Sequence, residues 1–246
     1  MADIAGSTTI ERTDHPYLRR HVDPAAIRGI WRRRGTTVFA PVRDVGEDPG
    51  LVCLGNSDDL TDLTVLLDEL SRAMPTPSHL SVTAGATEAL PAGWLVPEWH
   101  GWTAFGIESV PRVAGMDAVI ELPLDRWTGP ISTMLDESSP AGWGRPGRDD
   151  SRWFGVPDDS GQLLAVGGVR TSGAPSAHLS GIATHPSARG RGLGSAVTAV
   201  LTRVGFEAGQ PTVTLDAYSS NEPALRMYSR LGYVVDARFE SGEVLA

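Results

Sequence analysis

Between residues 60 and 74, Leu60, Leu63, Leu67, Leu70 and Met74 recur at helical spacing and form one apolar stripe, which Pro75 and Pro77 terminate. Ser57, Asp58 and Asp59 stand where the cap of that helix belongs. From Gly194 onward, Val197, Val200, Leu201 and Val204 repeat the helical pattern, and 222–231 predicts a further helix with Leu225 and Tyr228 on one face. A short helix is expected at 131–136. Around these lie short β-prone runs: 36–42, 51–54, 79–83 and an extended 102–110, then 117–122, 153–156, 163–170, 177–184, 212–217 and 233–239. The runs 153–156 and 163–170 flank the turn Pro157-Asp158-Asp159-Ser160-Gly161 and predict a hairpin. Gly167-Gly168, inside the second run, predicts a bulge or a close backbone approach.

The remaining stretches read as connections. Residues 1–20 are polar and predict a tail or loosely docked arm, and Trp31-Arg32-Arg33-Arg34 reads as a solvated helix end. The turn-rich segment 111–115 marks a boundary, dividing the chain into an N-terminal α/β domain at 1–115 and a second domain at 116–246. Residues 138–150, rich in Ser, Pro, Gly and Asp and carrying Trp143, are the most loop-like part of the chain.

One stretch combines pattern with chemistry. Residues 178–195 run from a strand through the Pro186 exit into Arg189-Gly190-Arg191-Gly192-Leu193-Gly194-Ser195 and then the helix. The unpaired N–H groups and dipole at a helix N-terminus favour an anion. The glycines remove Cβ obstruction, and Arg189 and Arg191 add charge-assisted hydrogen bonds. This is the make-up of a pyrophosphate cradle. The chain has no lysine, which excludes the phosphate loop built on Lys-Ser/Thr. A dinucleotide fingerprint survives on spacing, since Asp216 falls near the expected acidic position.

The segment Asn221-Glu-Pro-Ala224-Leu-Arg-Met-Tyr228-Ser-Arg-Leu-Gly232-Tyr233 separates the two readings. Arg189, Gly192 and Gly194, followed by Asn221, Ala224, Tyr228, Gly232 and Tyr233, resemble the paired motifs of the GNAT superfamily of acyl-CoA N-acyltransferases. The resemblance covers about 176–240 and extends back to about 116. It implies an α/β (α+β) fold with a mixed, mostly antiparallel sheet flanked by helices. The strand–helix–strand order of 51–83 suggests that the N-terminal half is a degenerate copy of the same fold. Asp58 and Asp59 there would repel a pyrophosphate, so no CoA cradle is expected in that half.

The resemblance further implies acetyl-CoA, or another acyl-CoA, as co-substrate, with no metal. The cradle residues 189–195 would hold the pyrophosphate, and the backbone of Ile182, Ala183 and Thr184 would pair with the pantetheine arm. An N–H on that strand, Ile182 being favoured, would point at the thioester oxygen, and Asn221 would add a pantetheine contact. Tyr228 matches the position that gives a proton to the leaving sulfur; a phenol with an ordinary pKa of about 10 is protonated at neutral pH. Many relatives carry a Glu on the strand before the loop, but 177–184 contains no carboxylate. His178 is the candidate base there, set against a structural strand-start histidine. Asp216, Glu121 or a water chain are its substitutes, and His185 before Pro186 reads as a turn residue. The region between the first two strands shapes the acceptor site in the family, so 138–150 reads either as a lid or as a surface excursion.

Composition narrows the partners. Net charge is −9, shared between both halves, which offers no basic face to nucleic acid or anionic membrane and suits an amine-bearing acceptor. The single Cys53 excludes an intramolecular disulfide and a cysteine-based metal site. The start Met-Ala-Asp-Ile has no leader character and no segment is long enough to span a bilayer, so a cytoplasmic protein is expected. The expected activity is acetyl transfer to a small-molecule amine. The alternatives are a non-catalytic acyl-CoA-binding regulatory module and a peptide or protein N-acetyltransferase. The apolar stripe of the first half leaves both intrachain packing and a homodimer open.

Overall fold

The computed structural model describes residues 10, 15–41, 50–56, 58–138, 144–172 and 175–245. Its strands are β1 (Ile27–Arg33), β2 (Thr36–Pro41), β3 (Gly50–Leu54), β4 (His79–Thr83), β5 (His100–Ile107), β6 (Ile120–Glu121), β7 (Arg152–Pro157), β8 (Leu163–Arg170), β9 (Ala177–Thr184), β10 (Val213–Tyr218) and β11 (Val234–Glu243). The helices are α1 (Pro16–His21), α2 (Thr61–Ala73), α3 (Leu124–Ser138), α4 (Leu193–Glu207) and α5 (Glu222–Arg230). The class is mixed α/β, and of the ladders described β3–β4 and β9–β10 are parallel and the other six antiparallel. No helix among the described residues is long and apolar enough to cross a membrane.

The chain forms two compact units. One comprises Met1–Ala104, Ala217–Asn221 and Asp236–Ala246; the other comprises Phe105–Asp216 and Glu222–Val235. The expected division had one crossing, at 115/116. The chain crosses four times instead, and the second half of β11 pairs with β4 of the first unit, from Phe239↔Thr83 to Glu243↔His79.

In the first unit the strand order is β1-β2-β3-β4-β11. Leu63, Leu66, Leu67 and Leu70 of α2 bury against Val38, Ala40, Leu51, Cys53, Leu80 and Val82. Burial raises the Cys53 thiol to about 12, so it is a packed apolar group rather than a nucleophile. The second cluster joins Leu18 of α1 to Ile30, Phe39, Val52 and Phe239. Arg20 and His21 then reach Asp236 at 2.7 and 3.0 Å. Residues 16–21 are therefore a docked helix, not part of a loose arm; residues 1–9 and 11–14 of that arm lie outside the described residues. Trp31-Arg32-Arg33 is likewise strand, not helix end. Arg34 and Gly35, with φ of 42° and 89°, form the two-residue turn that pairs Arg33 with Thr36.

In the second unit the order is β10-β9-β8-β7-β6. Trp127, Ile131, Met134 and Leu135 of α3 pack on Trp153, Leu163, Val166 and Ala183. Residue 167 faces the other way, toward Val197 and Leu201 of α4. Helix α3 is far longer than the expected 131–136 segment. Gly129-Pro130 reads as a break, but Pro130 is carried inside the helix, whose buried face repays one missing hydrogen bond. The hairpin β7–β8 and the helices α4 and α5 fall where the sequence pattern placed them.

Candidate active site

Strand β9 is bonded on one side to β8, with a register shift between Val166 and Gly168. Four β9 residues, 180 to 183, lie opposite three β8 residues, 166 to 168, so β9 carries a bulge of one extra residue. Gly181 supplies its left-handed φ of 60°. The bulge thus lies on β9, opposite the Gly167-Gly168 pair rather than within it, and the Trp153 ring packs against both Gly168 and Gly181. Gly144 closes over the same point, near Ser180 and Gly181. Trp143 and the rest of 139–143 lie outside the described residues.

On its other side β9 pairs with β10 over three positions, Ala177↔Val213, His178↔Thr214 and Leu179↔Leu215. Beyond Leu179 the parallel register stops while β9 continues to Thr184. Ile182, Ala183 and Thr184 therefore lie on a strand segment that has left the β10 ladder, where an extended ligand arm could be received as an added strand.

At the end of β9, Pro186–Ala188 make one turn capped by His185, as the turn reading of that residue expects. The loop then enters α4 through Gly192, an N-cap with φ of 79° and no capping side chain. The first helical bond runs from Ala196 N to Gly192 O at 3.0 Å. The N–H groups of Leu193, Gly194 and Ser195 precede it and have no intrahelical acceptor. Arg189, Gly190 and Arg191 are exposed beside them, and Arg189 Nε donates to Thr184 O at 3.4 Å. Positive charge, helix dipole and unused donors coincide, which is what a pyrophosphate requires.

Tyr228 sits near the end of α5 and is 5% exposed. Gly232 (φ 92°) closes the helix: Gly232 N donates to Ser229 O and Tyr233 N to Tyr228 O, both at 3.1 Å. These two bonds are a Schellman cap. They give the Gly-Tyr end of the motif its physical purpose, turning the Tyr233 ring onto that of Tyr228, 6.0 Å away edge to face. The Tyr233 hydroxyl is committed to Thr202 Oγ1 at 2.7 Å. Phe105 lies 5.8 Å from the Tyr228 ring. Burial pushes the Tyr228 phenol well above the ordinary tyrosine range, so it holds its proton at neutral pH.

His178, in the paired part of β9, lies with Nδ1 3.2 Å from Thr214 Oγ1. One of its ring nitrogens is within 4.8 Å of an Asp216 carboxylate oxygen. The structure thus brings His178 and Asp216 together. Glu121 is removed from contention as a substitute base. It lies on β6, three strands away from β9, and grips Arg152 through two 2.8 Å bonds that hold its carboxyl below the usual range. Asn221 follows a turn closed by its own N–H to Tyr218 O at 2.9 Å and belongs to the segment grouped with the first unit. Sequence reasoning missed Thr214 and Trp153. Trp153 is buried with its indole N–H unpartnered among the described residues. The only signal for either was its place on a strand beside a motif.

A cavity of about 340 Å³ lies within the first unit, lined by Glu88, Leu90, Trp94, Leu95 and Trp99 among others, and none of the motif residues lines it.

The model of the acetyltransferase (GNAT) family matches residues 116–233. A mycothiol acetyltransferase from Thermomonospora curvata is 30% identical over 102 residues, covering 38% of this chain and 34% of that protein. The chain thus spans about a third of the length of this curated relative. Among solved structures, an acetyltransferase from the GNAT family of Colwellia psychrerythraea superposes with a TM-score of 0.59 at 17% identity, over 97% of this chain and 92% of that one. A putative GNAT acetyltransferase from Novosphingobium aromaticivorans gives 0.56 at 18%, over 96% and 98%. At such identities these likenesses speak for the fold.

Proposed function

We propose, from the match of residues 116–233 to the model of the acetyltransferase (GNAT) family, that the chain is an acyl-CoA-dependent N-acetyltransferase acting on a small-molecule amine. The observation that carries the reading is the coincidence of two features on one strand–loop–helix unit: a β9 segment released from β10, and an uncapped α4 N-terminus flanked by Arg189 and Arg191. The first accepts an extended arm and the second a pyrophosphate, in the order in which an acyl-CoA presents them.

The thioester supplies the activated acetyl group. The chain's residues 189–195 hold the pyrophosphate, while the backbone of Ile182, Ala183 and Thr184 receives the arm. Ile182 N–H polarises the carbonyl oxygen. The amine nitrogen forms a bond to the carbonyl carbon and its proton passes to a ring nitrogen of His178. The C–S bond breaks, and the departing sulfur takes the Tyr228 phenolic proton. His178 then returns a proton through solvent, so amine and thioester leave as amide and thiol. A raised phenol pKa suits this step, because a thiolate leaving into the same desolvated surroundings is itself more basic than in water.

Acceptor-dependent thiol release from acetyl-CoA tests the proposal, with amines, amino acids, aminoglycosides and peptides as the panel. The name of the T. curvata relative places mycothiol-related amines in it. Release with a free small amine supports the reading, and release only with peptides replaces it with a peptide acetyltransferase. Tight acetyl-CoA binding without release from any acceptor replaces it with a binding module.

A further inference from the structure

The cavity of the first unit is walled by the connection between β4 and β5, and that connection is fixed along its length. Ala86 N donates to Thr83 O at 2.9 Å, Ala89 N to Ala86 O at 3.1 Å, and Trp94 N closes a further turn on Pro91 O at 2.9 Å. Ala86, Ala89 and Trp94 are buried in the core that α2 covers, with Leu90, Val96 and Trp99 packed against it. Further on, the chain crosses β11 at backbone contact. A Cβ at Gly242 would lie 2.3 Å from Glu98 O and 2.4 Å from Val96 Cγ1, so glycine alone admits the crossing. Leu245 N holds Leu95 O at 2.9 Å. Core packing and backbone bonds thus set the walls before any ligand arrives.

A volume of about 340 Å³ is that of a small-molecule site. Its lining is apolar and aromatic except for Thr87 and Glu88, and Glu88 is the one charged side chain in it. Nearby carboxylates are answered: Glu240 accepts from Gly85 N at 3.0 Å, and Glu98 lies 3.9 Å from His100 Nε2. Glu88 has no such partner among the described residues, and no Arg or His lines the cavity to supply one. An anion would be repelled here, and a neutral apolar body would leave the carboxylate unanswered. Indole is the side chain that attracts a cation best. We propose that the cavity binds a small organic cation, an alkylammonium whose charge is held by Glu88 and the indoles of Trp94 and Trp99 while its alkyl groups pack on Leu90 and Val96. No residue of the acyl-transfer reading takes part, so the two proposals stand or fall separately.

The test titrates the full chain with choline and with 3,3-dimethylbutan-1-ol, which keeps the shape and puts carbon in place of the charged nitrogen. Calorimetry gives affinity. Indole ¹H–¹⁵N signals give location, with Trp99 and Trp94 assigned by their loss in Trp99→Leu and Trp94→Phe. Choline should saturate one site per chain and move these two signals, and the neutral isostere should bind at least about tenfold more weakly. Glu88→Gln, at an exposed position that does not support the core, should weaken choline about threefold and leave the isostere unchanged. Trp99→Leu should weaken choline about tenfold. Equal affinity for choline and its isostere would make the cavity a merely apolar slot and overturn the proposal. So would failure to saturate by about 20 mM choline. Leu95 and Leu245, 61% and 52% exposed, provide the third overturning result. A dimer in sedimentation that Leu95→Glu dissociates, with neither indole moved by choline, would assign this face to a second copy of the chain.

Discussion

In the first unit β3 and β4 run parallel with α2 between them; in the second, β9 and β10 run parallel with α4 between them. The first pair is closed along its length, from Gly50↔His79 to Cys53↔Val82. Thr83 Oγ1 then seals the end, accepting from Gly55 N at 3.0 Å and donating to Cys53 O at 3.3 Å. The second pair is bonded over three positions and then released. The helix ends differ in the same sense. At α2, Asp59 accepts from Thr61 N at 3.0 Å, so a carboxylate already occupies the anion position, and these bonds to Thr61 hold its pKa below the ordinary value. At α4 the N-cap is Gly192 and no side chain fills the position. The same local topology ends open in one unit and closed in the other, according to whether a ladder continues and a carboxylate caps the helix.

That contrast can be attacked at its chemistry, starting with the largest effect. Tyr228→Phe should lower kcat by about 10²-fold or more while CoA affinity stays within about twofold, in stopped-assay thiol release and calorimetry. Tyr233→Phe should do the reverse, losing the Thr202 bond and about 1 kcal/mol of stability while keeping turnover. Equal turnover in wild type and Tyr228→Phe would remove Tyr228 from the acid role.

Next comes a transplant. Arg191 precedes the N-cap of α4 as Asp59 precedes Leu60, the N-cap of α2. Arg191→Asp therefore writes the first unit's chemistry into the second. It should weaken CoA binding by on the order of 10²-fold, from a lost charged hydrogen bond and an added repulsion, without lowering thermal stability. The reciprocal Asp59→Arg should create no second CoA site, because the β3–β4 ladder stays closed; calorimetric stoichiometry above one per chain would refute the ladder argument.

Gly181→Ala addresses the bulge. An added Cβ would lie 2.6 Å from the Trp153 ring at a φ of 60°, so left-handed strain and overpacking add to about 2–4 kcal/mol in urea unfolding. Trp153→Leu in the same chain should recover the overpacking part. Additive losses in the double variant would mean that the ring does not set the bulge.

How much of this could be read beforehand follows from where the information sits. Arg189, Gly192, Gly194, Tyr228 and Gly232 act through local geometry, a loop, a helix start and a helix stop, which leave residue types at fixed spacing. The loop-to-helix start of α4 and the extent of α5 were legible for that reason. Asp58 and Asp59 were legible too, since charge at a helix start has one meaning whatever surrounds it. Strand β1 was hidden because its turn, Arg34-Gly35, places a non-glycine residue at positive φ, which residue type does not announce. Helix α3 was shortened by Pro130, whose cost is offset by a buried face that forms only on docking. Thr214 was invisible for a stronger reason. Its partner is 36 residues distant in the chain and meets it only through a parallel register.

The smallest expected effect reads both helix starts with one probe. Asp59 has its carboxyl pKa depressed by its bonds to Thr61, so its interaction with Thr61 N–H is present above the ordinary carboxylate value and is lost as pH falls through the depressed one. In amide NMR, Thr61 should titrate in that acidic window and ignore added CoA. The amides of Leu193, Gly194 and Ser195 have no carboxylate cap, so they should stay still over the same window and move when CoA is added at neutral pH. Two sets of helix N-terminal amides in one molecule would then report a built-in anion in one unit and a recruited one in the other. A Thr61 amide that responds to CoA, or α4 amides that do not, would dissolve the distinction between a filled and an open helix start.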